Sequence, residues 1–212
     1  MNILQEISDN LQKGNDEKVF ELTNNAIAEG LPAKTILDDG LIAGMNIIGE
    51  QFGRHEIFLP DVLLAARAMY AGLDLLKPLF LIEKVESIGK VVIGTVQGDL
   101  HDIGKNLVGI MLKGAGFEVI DLGKDVPPEK FVETAKEMNA QAIGMSTLLT
   151  TTITSMKKVT DILENEGLKG EIKTIVGGAP LNQETAQELG ADAYAYDASN
   201  AVKRVKELFG IK

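Results

Sequence analysis

The stretch from Val91 to Gly104, VVIGTVQGDLHDIG, constrains the fold of this chain more than any other. Val91, Val92, Ile93, Thr95 and Val96 form a short β-branched run broken only by Gly94, the pattern of a strand buried on both faces. The run stops at Gln97-Gly98, a polar cluster of Asp99, His101 and Asp102 follows, and Gly104 opens a helical pattern, KNLVGIMLKGAG. Strand, polar loop and helix in that order begin a βα unit. In an open α/β sheet, ligands sit at the carboxyl ends of strands. An imidazole on that loop, two residues after a carboxylate, is the most informative chemical feature of the sequence.

The remaining chain extends the pattern. Strands are expected near Val91–Val96, Glu118–Leu122, Ala142–Ser146, Thr174–Val176 and Ala193–Tyr196. Between them, helices are expected near Gly104–Gly114, Pro128–Met138, Thr151–Asn165, Glu184–Leu189 and Asn200–Phe209. Repeated βα units give a five-stranded parallel, doubly wound sheet with right-handed crossovers, a Rossmann-like (flavodoxin-like) domain.

The first part of the chain reads differently. Ile3, Leu4, Ile7 and Leu11 fall at helical spacing, and a second helix is expected from about Glu17 to Glu29, stopped by Gly30. Pro32 suits the first turn of a third helix running to about Phe52. Gly40, Gly44 and Gly49 inside it predict close helix packing. Pro60 opens a fourth helix, largely apolar and therefore buried. Four helices with short connections make an antiparallel bundle. The expected organisation is α + α/β: a helical-bundle cap over residues 1–85, a linker at 86–90 and an α/β domain over 91–212.

Composition narrows the function. A net charge of −10 with a pI near 4.8 argues against nucleic acid and anionic membranes as partners, since both demand a positive surface. The chain has no cysteine, which excludes disulfides and thiolate metal sites. The N-terminus lacks the basic and apolar regions of a signal peptide, and no apolar run reaches membrane-span length, so a cytoplasmic location is expected.

Three expected strands deliver loops to the same edge. The first carries Gly98, Asp99, His101 and Gly104; the third carries Ser146-Thr147-Leu148-Leu149-Thr150-Thr151-Thr152; the fourth carries Gly177-Gly178-Ala179-Pro180. Together they describe a slot lined by glycine and hydroxyls with one imidazole at its mouth. Each feature also has a plainer reading. The threonines can cap the following helix, Gly177-Gly178 can be an ordinary tight turn, and a lone histidine after a strand is commonly a surface residue. Asp38-Asp39 reads as a solvated helix face, and Met69 and Tyr70 as core. A metal-hydrolase site built on His101-Asp102 fails for want of ligands, because the only other histidine is His55, in the bundle segment.

Asp99-Leu100-His101-Asp102-Ile103-Gly104, then Ser146 with Thr152 six residues on, then Gly177-Gly178, resembles the cobalamin-binding signature of B12-dependent methyltransferases and mutases. Phe52-Gly53-Arg54-His55-Glu56-Ile57-Phe58-Leu59-Pro60 resembles the cap segment of methionine synthase and of the small corrinoid proteins of methanogens and acetogens. The similarity runs through essentially the whole chain, in order.

The resemblance implies a role for each residue. His101 matches the histidine that replaces the cofactor's dimethylbenzimidazole as lower axial ligand of cobalt, leaving cobalamin base-off. Asp99 matches the carboxylate on that imidazole, and Thr152 the hydroxyl that completes a proton relay. His101, Asp99 and Thr152 are thus the implied catalytic group. Gly98, Leu100, Asp102, Ile103 and Gly104 complete the loop beneath the corrin. Ser146, Leu148 and Thr150 line the slot for the displaced nucleotide tail, Gly177 and Gly178 wall it, and Asp197 and Ala198 supply a further contact. Phe52, Leu59 and Val62 match the cover over the methyl face; Phe52 and Leu59 stand seven residues apart, two turns if one helix spans both.

The implied function is methyl carriage on cobalt between two methyltransferases. One takes the methyl group from a methylamine, a methoxy-aromatic or a similar donor. The other passes it to tetrahydrofolate or a related acceptor, and a reductive activase rescues oxidised protein. A carboxylate on the far ring nitrogen suits an imidazole ligand, because it fixes the tautomer and raises donor strength. A mutase subunit would take its cover from a partner and leave the bundle unexplained. A B12-based light sensor or regulator would bring a DNA-binding segment, and the chain has no basic one and no Trp. A nucleotide-binding flavodoxin-like domain would leave the hydroxyl-rich loop unexplained.

Overall fold

The structure, a computed structural model, describes residues 2–83 and 87–211, apart from the side chain of Leu81. The chain divides into a helical unit, the residues up to Ser87 with Gly114–Gly116, and an α/β unit, Ile88–Lys113 and the residues from Phe117 onward. The linker expected at 86–90 falls partly outside the described residues, because Glu86 is not among them.

In the helical unit, α1 (Ile3–Gln12) and α2 (Asp16–Ala28) each start on an asparagine, Asn2 and Asn15, whose side chain accepts a backbone N–H of the first turn. The helix expected from Pro32 to Phe52 is one helical path in three parts. These are α3 (Ala33–Thr35), a π-helical stretch Ile36–Ile42, and α4 (Ala43–Gly53). The expected close packing is present at two of its glycines. A Cβ on Gly40 would lie 3.2 Å from Ile7, and one on Gly44 would lie 3.0 Å from the Ser8 carbonyl oxygen. Both neighbours belong to α1. The long helix α5 (Leu59–Glu83) packs along α2 and carries Pro78 inside it. Ile7, Leu11, Ile36, Leu41, Ile48 and Leu76 are buried and form the centre of this unit.

The cap segment breaks between two helices, close to the expected ends at Phe52 and Pro60. The α4 helix ends at Gly53, His55 takes a left-handed backbone (φ 59°), and α5 begins only at Leu59. Phe52 and Leu59 therefore belong to different helices and are not two turns apart on one. The Asp61 carboxylate accepts the Phe58 N–H at 2.9 Å, and Pro60 occupies the first turn of α5, where its missing N–H costs nothing.

The α/β unit alternates β1 (Lys90–Thr95), α6 (Ile103–Gly114), β2 (Glu118–Asp121), α7 (Pro128–Glu137), β3 (Ala142–Ser146), α8 (Ile153–Asn165), β4 (Lys173–Gly177), α9 (Gln183–Glu188), β5 (Ala193–Ala195) and α10 (Ala198–Leu208). Every expected strand is present within one residue. The sheet is parallel throughout, in the order β2-β1-β3-β4-β5. From Val91 onward β1 is buried, as its composition demanded. One face of the sheet packs Val92, Ile143, Met145 and Val176 against Phe131, Val132, Met156, Val159 and Leu163 of α7 and α8. On the other face α6 approaches Ile93 so closely that a Cβ on Gly109 would lie 2.8 Å from it. Phe117 and Phe209 meet edge to face at 5.3 Å. In this strand order the connections reverse direction between β1 and β3, the topological switch point at which a crevice opens.

Candidate functional site

The loops leaving β1 and β3 meet at that switch point. After β1 the chain turns sharply: the Asp99 N–H bonds the Val96 carbonyl at 3.1 Å, with Gly98 at φ 89° in the turn. The Gly98 N–H donates to the Asp125 carboxylate at 2.7 Å, and the Thr95 hydroxyl donates to the His101 carbonyl at 2.8 Å. Asp99 then closes an Asx-turn, its Oδ1 accepting the His101 backbone N–H at 2.9 Å. These bonds fix where the imidazole starts.

The ring is held by the same carboxylate oxygen, 2.7 Å from His101 Nδ1. On Oδ2, Asp99 accepts the Leu148 backbone N–H at 2.6 Å and the Thr147 hydroxyl at 2.9 Å. The Asp99 side chain is 0% exposed, whereas that of His101 is 55% exposed. Burial alone raises a carboxyl pKa; the two backbone and two side-chain hydrogen bonds outweigh it and hold Asp99 well below the usual carboxylate range. An ionised carboxylate only accepts, so Nδ1 must carry the proton. In its neutral form the ring then presents its lone pair at Nε2.

The sequence-based trio is not joined as expected. Thr152 does not touch Asp99: its hydroxyl meets that of Thr147 at 2.6 Å, and Thr147 is the group that touches the carboxylate. Nor does Thr152 cap α8, since its side chain makes no capping bond there; it precedes the helix in a 3₁₀ turn, Thr150–Thr152.

The other expected residues fall as follows. Ser146 ends β3 and its carbonyl accepts the Val96 N–H. Leu148 contributes its N–H to Asp99 while its side chain is exposed, as are Leu100, Ile103 and Thr150. Asp102 is half-buried ahead of α6, its carbonyl accepting the Asn106 N–H at 2.8 Å. Gly104 faces open space, with nothing within 4 Å of a Cβ placed there. At Gly178 (φ 136°) an added Cβ would lie 1.7 Å from the Thr147 carbonyl oxygen, so glycine is required there by the protein itself. A Cβ on Gly177 would lie 3.0 Å from the Ala195 carbonyl oxygen. The Asp197 carboxylate caps α10 by accepting the Asn200 N–H at 2.7 Å, and Ala198 is buried in its first turn. In the helical unit Phe52 and Leu59 are half-buried and Val62 is wholly buried.

Sequence reasoning missed Thr147 and Asp125. Thr147 stood in the loop already singled out, but nothing in the spacing separates it from the neighbouring threonines. Asp125 lies in a left-handed conformation (φ 55°), a position open to aspartate but unmarked by any motif.

The donor set limits what can bind. Among the described residues no three His, Asp or Glu side chains converge on a metal. This edge offers one metal-ready nitrogen, His101 Nε2, so an ion held there must bring its remaining ligands with it. The exposed apolar side chains of Leu100, Ile103, Leu148 and Leu149 on the two loops, and the open space at Gly104, suit a broad, partly apolar ring.

Comparison with known proteins gives consistent matches. A family model described as B12 binding domain matches residues 89–206, and a second so described matches residues 3–77. Dimethylamine corrinoid protein 3 of Methanosarcina acetivorans is 46% identical over 206 residues, 97% of this chain and 96% of its own length. In the solved methanol:cobalamin methyltransferase complex of Methanosarcina barkeri, a chain 30% identical superposes with a TM-score of 0.87, covering 98% of this chain and 80% of that one. A cobalamin-binding protein of Desulfitobacterium hafniense DCB-2 superposes with a TM-score of 0.79 at 34% identity, covering 97% of this chain and 98% of that one.

Proposed function

This chain belongs to the family of B12-binding corrinoid proteins, and from that premise we propose that it carries a methyl group on the cobalt of bound cobalamin, with His101 Nε2 as lower axial ligand. Cobalamin supplies a cobalt centre able to accept and surrender a methyl group. The chain's own residues bind and tune it. Asp99 keeps the His101 proton on Nδ1 and the lone pair on Nε2, and its charge raises the donor strength of the ring. The Leu148 N–H and the Thr147 hydroxyl hold the carboxylate in place while this happens.

The methyl donor is a methylamine, in keeping with the dimethylamine corrinoid protein to which the chain is 46% identical. The partners are a methylamine-specific methyltransferase that loads the carrier, a second methyltransferase that unloads it to a tetrahydrofolate-type acceptor, and a reductive activase. The chain is then one subunit of a multicomponent system and not a complete catalyst. Gly98, Gly104 and the apolar loop residues face the corrin, and the loop from Ser146 to Thr152 with Gly177, Gly178, Asp197 and Ala198 receives the nucleotide tail. The role of Phe52, Leu59 and Val62 as a cover over the methyl face rests on the sequence resemblance alone.

The observation that carries this reading is the pairing of an exposed imidazole with a fully buried, four-fold hydrogen-bonded carboxylate. The test is to reconstitute the chain with methylcobalamin and compare its visible absorption with that of His101→Ala. The expected result is a bound, base-off cofactor whose imidazole-ligated spectrum is lost in the variant. Identical spectra, or release of all colour on desalting, would overturn it.

A further inference from the structure

Thr147 is 1% exposed, and its hydroxyl stands between two groups already assigned to the site. Its Oγ1 lies 2.9 Å from Asp99 Oδ2 and 2.6 Å from Thr152 Oγ1, with the Leu149 N–H and carbonyl both at 3.3 Å. Proton counting fixes the direction of the bonds. Thr147 has one hydroxyl proton, and the Asp99 carboxylate can only accept, so that proton goes to Asp99. Two hydroxyl oxygens at 2.6 Å need a proton between them, and Thr147 has none left to give. Thr152 must therefore donate to Thr147, giving a one-way chain Thr152 → Thr147 → Asp99.

The backbone of Thr147 is as tightly placed as its side chain. Its N–H bonds the Gly177 carbonyl at 3.2 Å, extending the β3–β4 ladder by one residue beyond the Ser146–Gly177 pair. Its own carbonyl occupies the space that a Cβ at Gly178 would need. Thr147 is thus anchored to the sheet, while the Asp99 carboxylate hangs from a loop. With the Leu148 N–H, which donates to the same Oδ2 at 2.6 Å, the anchored hydroxyl limits how the carboxylate can rotate.

We propose that Thr147 is a positioning residue. Its hydroxyl, loaded by Thr152, sets the rotation of the Asp99 carboxylate and through it the plane and tautomer of the His101 ring presented to the corrinoid metal. This rests on the function proposed above, but one readout does not depend on it. Thr147→Val keeps the shape and removes the hydroxyl. Thr152 can then donate to the Leu149 carbonyl, 3.0 Å away, so its hydroxyl keeps a partner.

The experiment compares wild type, Thr147→Val, Thr147→Ser and Thr152→Val in two ways at one neutral pH. In cofactor-free protein, nitrogen-resolved imidazole NMR reads which ring nitrogen of His101 is protonated. With two histidines in the chain, His101→Ala completes the assignment. In protein loaded with methylcobalamin, visible absorption reads the ratio of imidazole-bound to imidazole-free cofactor. In wild type and Thr147→Ser, the Nδ1–H tautomer should dominate and ligation should match. In Thr147→Val the other tautomer should grow and the ligation ratio should fall about tenfold, the lower end of what outer partners of a metal-bound histidine contribute. Thr152→Val should shift both in the same direction by less.

Thr147→Val indistinguishable from wild type in both readouts would overturn the proposal. Should that variant not fold, wild-type behaviour of Thr152→Val would overturn it instead. If loaded wild type matches His101→Ala while the tautomer still follows Thr147, the carrier reading fails and the positioning role stands.

Discussion

Asp99 and His101 are joined twice through a single atom: Asp99 Oδ1 accepts the His101 backbone N–H at 2.9 Å and its ring Nδ1–H at 2.7 Å. Holding both ends of one residue with one oxygen restricts the imidazole to a narrow range of orientations. It is also why the spacing of the two residues matters. A gap of two lets the carboxylate close an Asx-turn and reach the ring of the residue it caps.

Replacing Asp99 with Asn tests this pairing at the cofactor. The amide keeps one acceptor for Nδ1–H but removes the charge that strengthens the ring as a donor. Ligation of methylcobalamin by His101 should weaken by about ten- to a hundredfold, read as the ratio of imidazole-bound to imidazole-free spectra. An unchanged ratio would separate the carboxylate from the metal.

The same carboxylate makes the fold sensitive to acid. Asp99 sits well below the ordinary carboxylate pKa of about 3.9, so the folded state holds its proton more weakly than the unfolded chain. Its contribution to stability is present in full above the unfolded value and is lost as pH falls through the lowered one. Denaturant unfolding of cofactor-free wild type and Asp99→Asn should show a stability gap at pH 6 that narrows steadily below about pH 4. A gap constant down to strongly acidic pH would contradict the assignment.

Gly178 offers a backbone test. Its φ of 136° and the 1.7 Å approach of the Thr147 carbonyl oxygen to an added Cβ leave alanine nowhere to go. Gly178→Ala should cost at least about 2 kcal/mol in urea unfolding. It should also displace Thr147, so cofactor affinity falls in parallel. Gly104→Ala, where nothing lies within 4 Å, should leave the stability of the cofactor-free protein within about 0.5 kcal/mol.

Near the same edge Lys105, 4% exposed, places its ammonium 2.6 Å from both Asp121 oxygens and 2.7 Å from Asn106 Oδ1. Asp121 is 37% exposed. The two halves of this pair should respond unequally. Asp121→Asn strands a buried cation and should cost roughly 3 kcal/mol, whereas Lys105→Met returns Asp121 to water and should cost less. Equal losses in thermal or urea unfolding would mean the ammonium is not desolvated as its burial indicates.

Much of the architecture was legible because two periodicities report directly on burial. The run Val91–Val96 is apolar on successive residues and lies buried on both faces as β1; the helices that follow bury one stripe each. Helix continuity was less legible. The two-turn relation of Phe52 and Leu59, which needed one continuous helix, does not hold, because His55 adopts a left-handed backbone between two helices. The π-helical stretch Ile36–Ile42 left no mark that distinguishes it from α-helix. In the site, Asp99 and His101 stood out because a carboxylate and an imidazole on a strand-ending loop are chemically conspicuous. Thr147 did not, because among four threonines within six residues the side-chain direction depends on how β3 leaves the sheet.

By itself the sequence determined the order of elements, the parallel sheet, and the presence of an imidazole and a carboxylate two residues apart on one loop. These follow from local steric preference and from which side chains can leave water, both written residue by residue. Only the tertiary structure decided that Asp99 is shut away from solvent while its partner stays open, and that Thr147 stands between Asp99 and Thr152. Hydrogen-bond direction depends on which loops meet, and the loops of β1 and β3 meet because the sheet reverses its winding between those two strands.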